Sequence, residues 1–365
     1  MMESLAPLPS DLLTTRQKTK LLSNRLFSDF FYREVVSRAG KSFAWAIWAG
    51  LTLPFTPFWL ITFFIARFRP AINLSVPAIS VGNIEMGGTG KTPLILFIAR
   101  YLLELHYSVA IVCYGTRSTR WDEARLLSQH LSGAKIYSGQ NKVLLAKQAI
   151  QEGASCILFD DAFHHFRIQQ KLDIVLINPS SWPLILFPAG RYRMPLRFLR
   201  YADIILSHTP HNLQKKEKKS VQKRFKTGNT PLFFMHPSPR YLKSSLGREE
   251  SLEKIAHSRV LAFCGIGNPD SFSATIHSLK PASVELIRFP DHFSYTKEDI
   301  LAIHRRFRDS YADLCLTTSK DMVKIKPFLR SFEIFALHIE AEIEEKERFL
   351  RYISNYLTKQ NSMVY

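Results

Sequence analysis

The chain has 365 residues and is 46% hydrophobic, which is ample for a core and, as a prior, long enough for two domains. Lys+Arg 49 against Asp+Glu 31 gives a formal charge of +18, a balance that favours an anionic partner: nucleic acid, nucleotide or a membrane face. The four cysteines, Cys113, Cys156, Cys264 and Cys315, each sit in an apolar run with no metal-ligand or disulfide spacing, so they read as buried thiols of a reduced cytoplasmic protein.

Residues 1–41 read as a polar, basic, helical lead-in. From Ser42 to Ala66 no residue is charged, and the run is dense in Trp, Phe, Leu and Ile. About 20 apolar residues span a bilayer, so a single crossing has the length it needs. Pro54 and Pro57 fall in the middle, however, where proline removes helical hydrogen bonds and bends the axis. Both flanks are basic (Arg33, Arg38 and Lys41 before, Arg67 and Arg69 after), so charge asymmetry sets no orientation. The expectation is a bent hairpin dipping into one leaflet with both ends cytoplasmic; the alternative is a buried helical hairpin of a soluble core. The long polar lead-in and the missing cleavage site exclude a signal peptide.

Next comes Val76–Val81, an apolar run with β character, then Gly82 to Pro93, reading G-N-I-E-M-G-G-T-G-K-T-P. Leu94, Ile95, Phe97, Ile98, Leu102 and Leu103 follow at helical spacing. Strand, glycine-rich turn and helix form the context of a phosphate-binding loop. Glycines let the backbone approach oxygens, and successive N–H groups point at an anion from a helix N-terminus. The nucleotide-binding set is Glu85, Met86, Gly87, Gly88, Thr89, Gly90, Lys91 and Thr92. Lys91 would reach the β- and γ-phosphates, and the Thr92 hydroxyl would hold Mg²⁺. Glu85 stands where the strict pattern has glycine, and Met86 where the MinD-like ATPases carry a lysine.

Residues 74–206 alternate apolar β runs (Val109–Cys113, Ser155–Phe159, Asp173–Ile177, Asp203–Leu206) with helical segments, the rhythm of a doubly wound parallel sheet. The run Ile157–Phe159 ends in Asp160-Asp161, as a Walker B strand does, where a carboxylate binds Mg²⁺ directly or through water. A capping aspartate is the plainer reading of the same pattern. Trp121-Asp122-Glu123 follows a basic loop past the second strand. Phe187 to Pro195 puts Arg191 and Arg193 in a Gly/Pro-bounded loop suited to phosphate or simply to solvent. Residues 211–230 hold Lys215, Lys216, Lys218, Lys219, Lys223, Arg224 and Lys226 in a polar setting: a linker or exposed helix, by default a solubilising one, with lipid head groups as the other use. A second series of β runs (Arg259–Cys264, Val284–Phe289, Asp313–Thr317, Glu333–Ile339) suggests a smaller α/β domain. It includes Phe289-Pro290-Asp291-His292 and ends in an amphipathic helix from about Ile343 to Leu357.

In order, these motifs resemble the tetraacyldisaccharide 4'-kinases of lipid A biosynthesis. That family is similar in V-G-N-x-x-x-G-G-T-G-K-T-P (Val81 to Pro93) and in D-D-G-x-Q-H followed by Arg (Asp160 to His165 and Arg167, with changes). It is also similar in P-A-G-P-L-R-E-P (Pro188 to Pro195) and A-G-I-G-N-P-x-x-F (Cys264 to Pro269 with Phe272). F-x-D-H (Phe289 to His292) and T-x-K-D-x-V-K (Thr318 to Lys324) complete the set. The order holds from about residue 42 to 325. The resemblance implies a monotopic enzyme on the cytoplasmic face of the inner membrane. It would move the γ-phosphate of ATP to the 4'-hydroxyl of tetraacyldisaccharide 1-phosphate, giving lipid IVA. It implies Asp122 as the base, with His292 orienting it, and Lys91 and Asp161 beside them as catalytic residues. It implies a metal set of Thr92, Asp160, Asp161 and Glu123, and Arg193 on substrate phosphate. Asp122 and His292 belong to different expected domains, so catalysis is expected to need domain closure on ATP. The chain departs from the family at Cys113–Arg117 in place of S-R-G-Y-G, in a shorter following loop, and at Ala162, His164 and Met194.

The expected fold is a P-loop NTPase-like doubly wound parallel sheet with a second, smaller α/β domain. The expected division is 1–70 as lead-in and membrane-associating segment, 71–210 as nucleotide domain, 211–258 as linker and 259–365 as the smaller domain. The rival readings are a MinD-like membrane ATPase switch and a soluble ligase or kinase of the dethiobiotin-synthetase type. Nucleic acid is not an expected partner, because no interleaved aromatic-basic element supports it.

Overall fold

The computed structural model describes residues 72–362 except 88–89, 116–120, 164–167, 180–185, 188–191, 210–212, 226–227 and 330–331, together with positions 50, 57 and 61; of residues 121–123 only the backbone is described. The apolar 42–66 segment therefore lies, but for three isolated positions, outside the described residues. Among the described residues no helix is long and apolar enough to cross a membrane.

In chain order the elements are β1 (Ala78–Asn83), α1 (Lys91–Glu104), β2 (Val109–Tyr114), α2 (Trp121–His130), β3 (Lys135–Gly139), α3 (Lys142–Gln151), β4 (Cys156–Asp160), β5 (Leu172–Ile177), β6 (Ile204–His208) and α4 (Lys215–Phe225). Then follow β7 (Leu232–Ser244), β8 (Glu249–Glu250), β9 (Arg259–Cys264), α5 (Pro269–Ser278), β10 (Ser283–Arg288), α6 (Lys297–Asp309), β11 (Leu314–Thr318), α7 (Ser319–Ile325), β12 (Phe335–Ile343) and α8 (Lys346–Asn361). The described chain forms two compact units: one of residues 239–339, the other of the residues up to 238 together with those from 340 onward. Residues 211–258 carry α4, β7 and β8, and the chain passes from one unit to the next inside β7.

In the larger unit the strand order is β7-β6-β5-β1-β4-β2-β3, every neighbouring pair parallel. The sequence explains why both faces are covered. In β2, Val109, Ile111 and Cys113 enter one apolar cluster while Ala110 and Val112 enter another. In β5, Leu172, Ile174 and Leu176 face one side, and Val175 and Ile177 the other. A period of two with apolar residues at every position is the signature of a strand buried on both faces. On the first face α1 contributes Leu94, Ile95, Ile98 and Leu102, each worth about 2 kcal/mol when buried. The last helix, α8, joins that layer through Phe349, Ile353 and Leu357, with Phe349 against Phe97 and Phe233. The Tyr356 hydroxyl accepts from the Ala78 N–H at 3.0 Å, which ties α8 to the first residue of β1. Its amphipathic pattern says that α8 must cover a sheet; it does not say which one.

The smaller unit is a parallel sheet in the order β10-β9-β11-β12, with β8 antiparallel to the end of β7. Phe263, Phe289, Phe293 and Ile303 fill one side, and Phe272, Ile276 and Leu316 the other. The four cysteines are free and buried in strands.

Candidate active site

The sheet order places β4 directly beside β1, with Val81 opposite Asp160. The loop after β1 and the carboxylates after β4 therefore meet at the carboxyl edge of the sheet, where ligands of open α/β sheets bind. Two glycines are required here. A Cβ on Gly82 would lie 2.7 Å from the Cβ of Phe163, so only glycine lets the turn after β4 cross β1. Gly90 is the residue before α1, with φ 83°, and a Cβ there would meet the Met235 Cε at 2.9 Å and the His208 ring at 3.0 Å. Gly90 offers no side-chain cap to α1. The first-turn N–H groups of a helix carry partial positive charge and suit an anion.

Lys91, the first residue of α1, points its Nζ at Asp161 Oδ2 (3.3 Å) and at Asn83 Oδ1 (3.4 Å). Arg193 reaches the same Asp161 oxygen at 2.8 Å, and its backbone N–H donates to the Ile84 carbonyl of the glycine loop at 2.8 Å. One carboxylate thus gathers two cations that lie 102 positions apart in sequence, Lys91 and Arg193. Asp161 holds a left-handed φ of 57°, rare for a residue with a side chain, and its N–H donates to the Val81 carbonyl at 2.7 Å.

The sequence reading missed Lys142, which fixes this turn. It opens α3 after the capping Asn141, is buried, and donates to the main-chain carbonyls of Asp160 and Asp161 at 2.5 and 2.6 Å. Burial lowers its pKa, against the pull of Asp161 and Asp160. A lysine inside the first turn of an amphipathic helix reads as solvated, so the pattern hid it. His208, at the end of β6, was not singled out either; its ring lies where a side chain on residue 90 would have to go. Burial lowers its pKa to about 4, with His236 adding to the effect.

The remaining expected residues divide as follows. Glu85 is buried and its carboxylate accepts the Asn178 N–H at 2.7 Å, so its side chain pins the loop to the end of β5. Met86 is exposed, and Gly87 has φ 109°. Gly88 and Thr89 lie outside the described residues. Thr92 follows Lys91 on α1, and Asp160 is buried at the end of β4. Asp122 and Glu123 fall in the first turn of α2, their side chains outside the described set. His292 belongs to the smaller unit, at φ 58°, with its N–H on the Gly265 carbonyl (3.2 Å) and its ring 3.9 Å from Asp291.

A glycine loop at a helix N-terminus, a lysine at its head and a strand-end carboxylate beside it define a phosphate-transferring enzyme of the P-loop class. The comparisons carry this further. The family model LpxK, tetraacyldisaccharide-1-P 4'-kinase, matches residues 58–358. A tetraacyldisaccharide 4'-kinase of Syntrophus aciditrophicus is 30% identical over 314 residues, 76% of this chain and 83% of that one. The enzyme of the same name from Aliarcobacter butzleri is 29% identical over 358 residues, 92% of this chain and 96% of the other. A crystal structure of LpxK from Aquifex aeolicus, in complex with ATP, has the same fold, with a TM-score of 0.64, 24% identity, and coverage of 84% of this chain and 99% of that one. The chain belongs to the tetraacyldisaccharide 4'-kinase family, whose ATP-dependent 4'-phosphorylation is a step of lipid A biosynthesis.

Proposed function

We propose that this chain transfers the γ-phosphate of ATP to the 4'-hydroxyl of tetraacyldisaccharide 1-phosphate, giving lipid IVA, with Asp122 as general base. The observation that carries the reading is the convergence of Lys91 and Arg193 on Asp161 at the mouth of the glycine loop. Phosphoryl transfer asks the protein mainly for positioning and for charge of the right sign. Lys91 meets the β- and γ-phosphates, Arg193 recognises phosphate, and the N–H groups at the head of α1 receive the oxygens between them. Asp122 accepts the proton of the sugar hydroxyl, and His292 is the second residue that the family resemblance assigns to catalysis.

The oxygen donors at this corner suit Mg²⁺, which takes one or two protein carboxylates and leaves the rest of its shell to water and phosphate. Thr92, Asp160, Asp161 and Glu123 would hold it, and when bound it offsets charge on the phosphates. The acceptor is a lipid, so the enzyme works at a membrane; the apolar 42–66 segment and the basic composition support the cytoplasmic face of the inner membrane.

The test is transfer of radiolabelled γ-phosphate from ATP to detergent-dispersed disaccharide 1-phosphate, with non-lipid acceptors alongside. Asp122→Ala is expected to abolish transfer and keep ATP binding. Full activity in that variant rejects the base assignment, and transfer to the non-lipid acceptors alone rejects the lipid substrate.

A further inference from the structure

The helix α4 reads KKEKKSVQKRF, six basic residues against one acidic. Its inward side is settled: Val221 and Phe225 pack into an apolar cluster with Phe198 and Leu199, and Lys218 turns to Glu344 at 2.7 Å. Arg224 donates to the Pro179 carbonyl. The lone acid, Glu217, is engaged by the Gln214 N–H at 2.7 Å at the head of the helix. Lys216, Lys219 and Lys223 lie on the opposite side and are exposed. Lys219 and Lys223 are one helical turn apart, a like-charge spacing that weakens a helix unless an anion sits over it.

The same cluster supports a second basic element. The 3-10 turn Leu196–Tyr201 buries Phe198 and Leu199 and exposes Arg197 and Arg200, with the Arg200 guanidinium 4.8 Å over the Tyr201 ring. This turn follows Arg193, which pairs with Asp161, by a few residues in the chain. Nothing in the catalytic scheme uses it.

We propose that the face formed by α4 and the 196–201 turn docks on an anionic phospholipid surface. The inference rests on the lipid-kinase reading: a water-facing active site must find an acceptor whose acyl chains stay in a bilayer. The chemistry recognised is a sheet of phosphate head groups, which spread exposed ammonium and guanidinium groups match without a fixed stereochemistry. Such attraction falls off within a Debye length and weakens with salt.

The test is co-sedimentation of the full chain with vesicles of phosphatidylglycerol and phosphatidylethanolamine, or of phosphatidylcholine alone. The variant Lys216→Gln/Lys219→Gln/Lys223→Gln is compared with Lys243→Gln/Lys280→Gln/Lys297→Gln, which removes the same charge from exposed sites in the smaller unit. The α4 triple is expected to lose about a hundredfold in partitioning onto anionic vesicles at low salt, the control far less. Transfer to detergent-dispersed acceptor is expected to stay at the wild-type level, and transfer to acceptor embedded in anionic vesicles to fall. Equal losses in the two triples, or none in the α4 triple, overturn the proposal. Loss of binding to single-stranded RNA with vesicle binding intact assigns the face to nucleic acid instead and also overturns it. If wild-type protein phosphorylates no lipid yet the α4 triple still loses vesicle binding, the kinase reading falls and the docking face stands.

Discussion

The protein builds the same local figure twice, strand to glycine turn to helix, and uses the two copies differently. At the first, β1 leads through Gly82 and Gly90 into α1, and Gly90 offers that helix no side-chain cap. At the second, β9 leads through Gly265 into α5, where the Asn268 side chain accepts the Ser271 N–H at 3.1 Å and Pro269 occupies the first turn. The Gly265 N–H is taken as well, by Asp321 Oδ2 at 2.9 Å. Asp321 is fully buried and is further bonded by Thr318 and Lys324. In the second turn the Gly265 and Ser271 N–H groups are taken by the protein's own side-chain oxygens. In the first, Lys91 faces the Asp161 carboxylate at the head of a helix that Gly90 does not cap, an arrangement suited to phosphate. A glycine-rich turn announces neither outcome; the partners of its N–H groups decide.

That contrast can be broken at three places. Lys91→Met is expected to cut phosphoryl transfer by about a thousandfold or more while moving the melting temperature little, as checked by label transfer and calorimetry. Asp321→Ala should do the reverse, breaking the buried pair with Lys324 and leaving the Gly265 N–H without its acceptor, at a cost of about 3–5 kcal/mol in denaturant unfolding. An Asp321→Ala protein as stable as wild type would show that the second turn is not held in this way. The smallest effect concerns His208 behind Gly90. Burial depresses its pKa to about 4, so the unfolded chain binds a proton that the folded chain refuses between about pH 4 and pH 6.5. Its contribution is present above pH 6.5 and is lost as pH falls through that window. Because its edge is partly accessible, wild type should lose about 1–2 kcal/mol more than His208→Asn between pH 7.5 and pH 5. Parallel unfolding curves for the two proteins would remove His208 from the account.

Strands with near-continuous apolar runs were legible at once: Val109–Cys113 lies within β2, and Arg259–Cys264, apolar after its first residue, coincides with β9. So was the pairing of the glycine loop with Asp160-Asp161, since both end buried strands. β3 was missed because Lys135–Gly139 is half exposed and reads as a polar turn. β7 was missed because Pro237 and Pro239 interrupt it, and proline argues against a strand until its neighbours are known. The motif list predicted Lys91, Asp161 and Arg193, but not that they share one oxygen. It was silent on Lys142, whose work is done on main-chain carbonyls that no sequence pattern displays.

The return of α8 onto β1 sets an order of assembly. Residues 239–339 are contiguous and emerge from the ribosome as one stretch, ready to fold as a body. The nucleotide-binding body starts earlier and finishes later, since Phe349, Ile353 and Tyr356 are translated after residues 239–339 and its apolar layer over α1 stays open until they arrive. Synthesis halted before α8 therefore yields a chain that carries the whole glycine loop yet presents bare hydrophobic surface to chaperones and proteases.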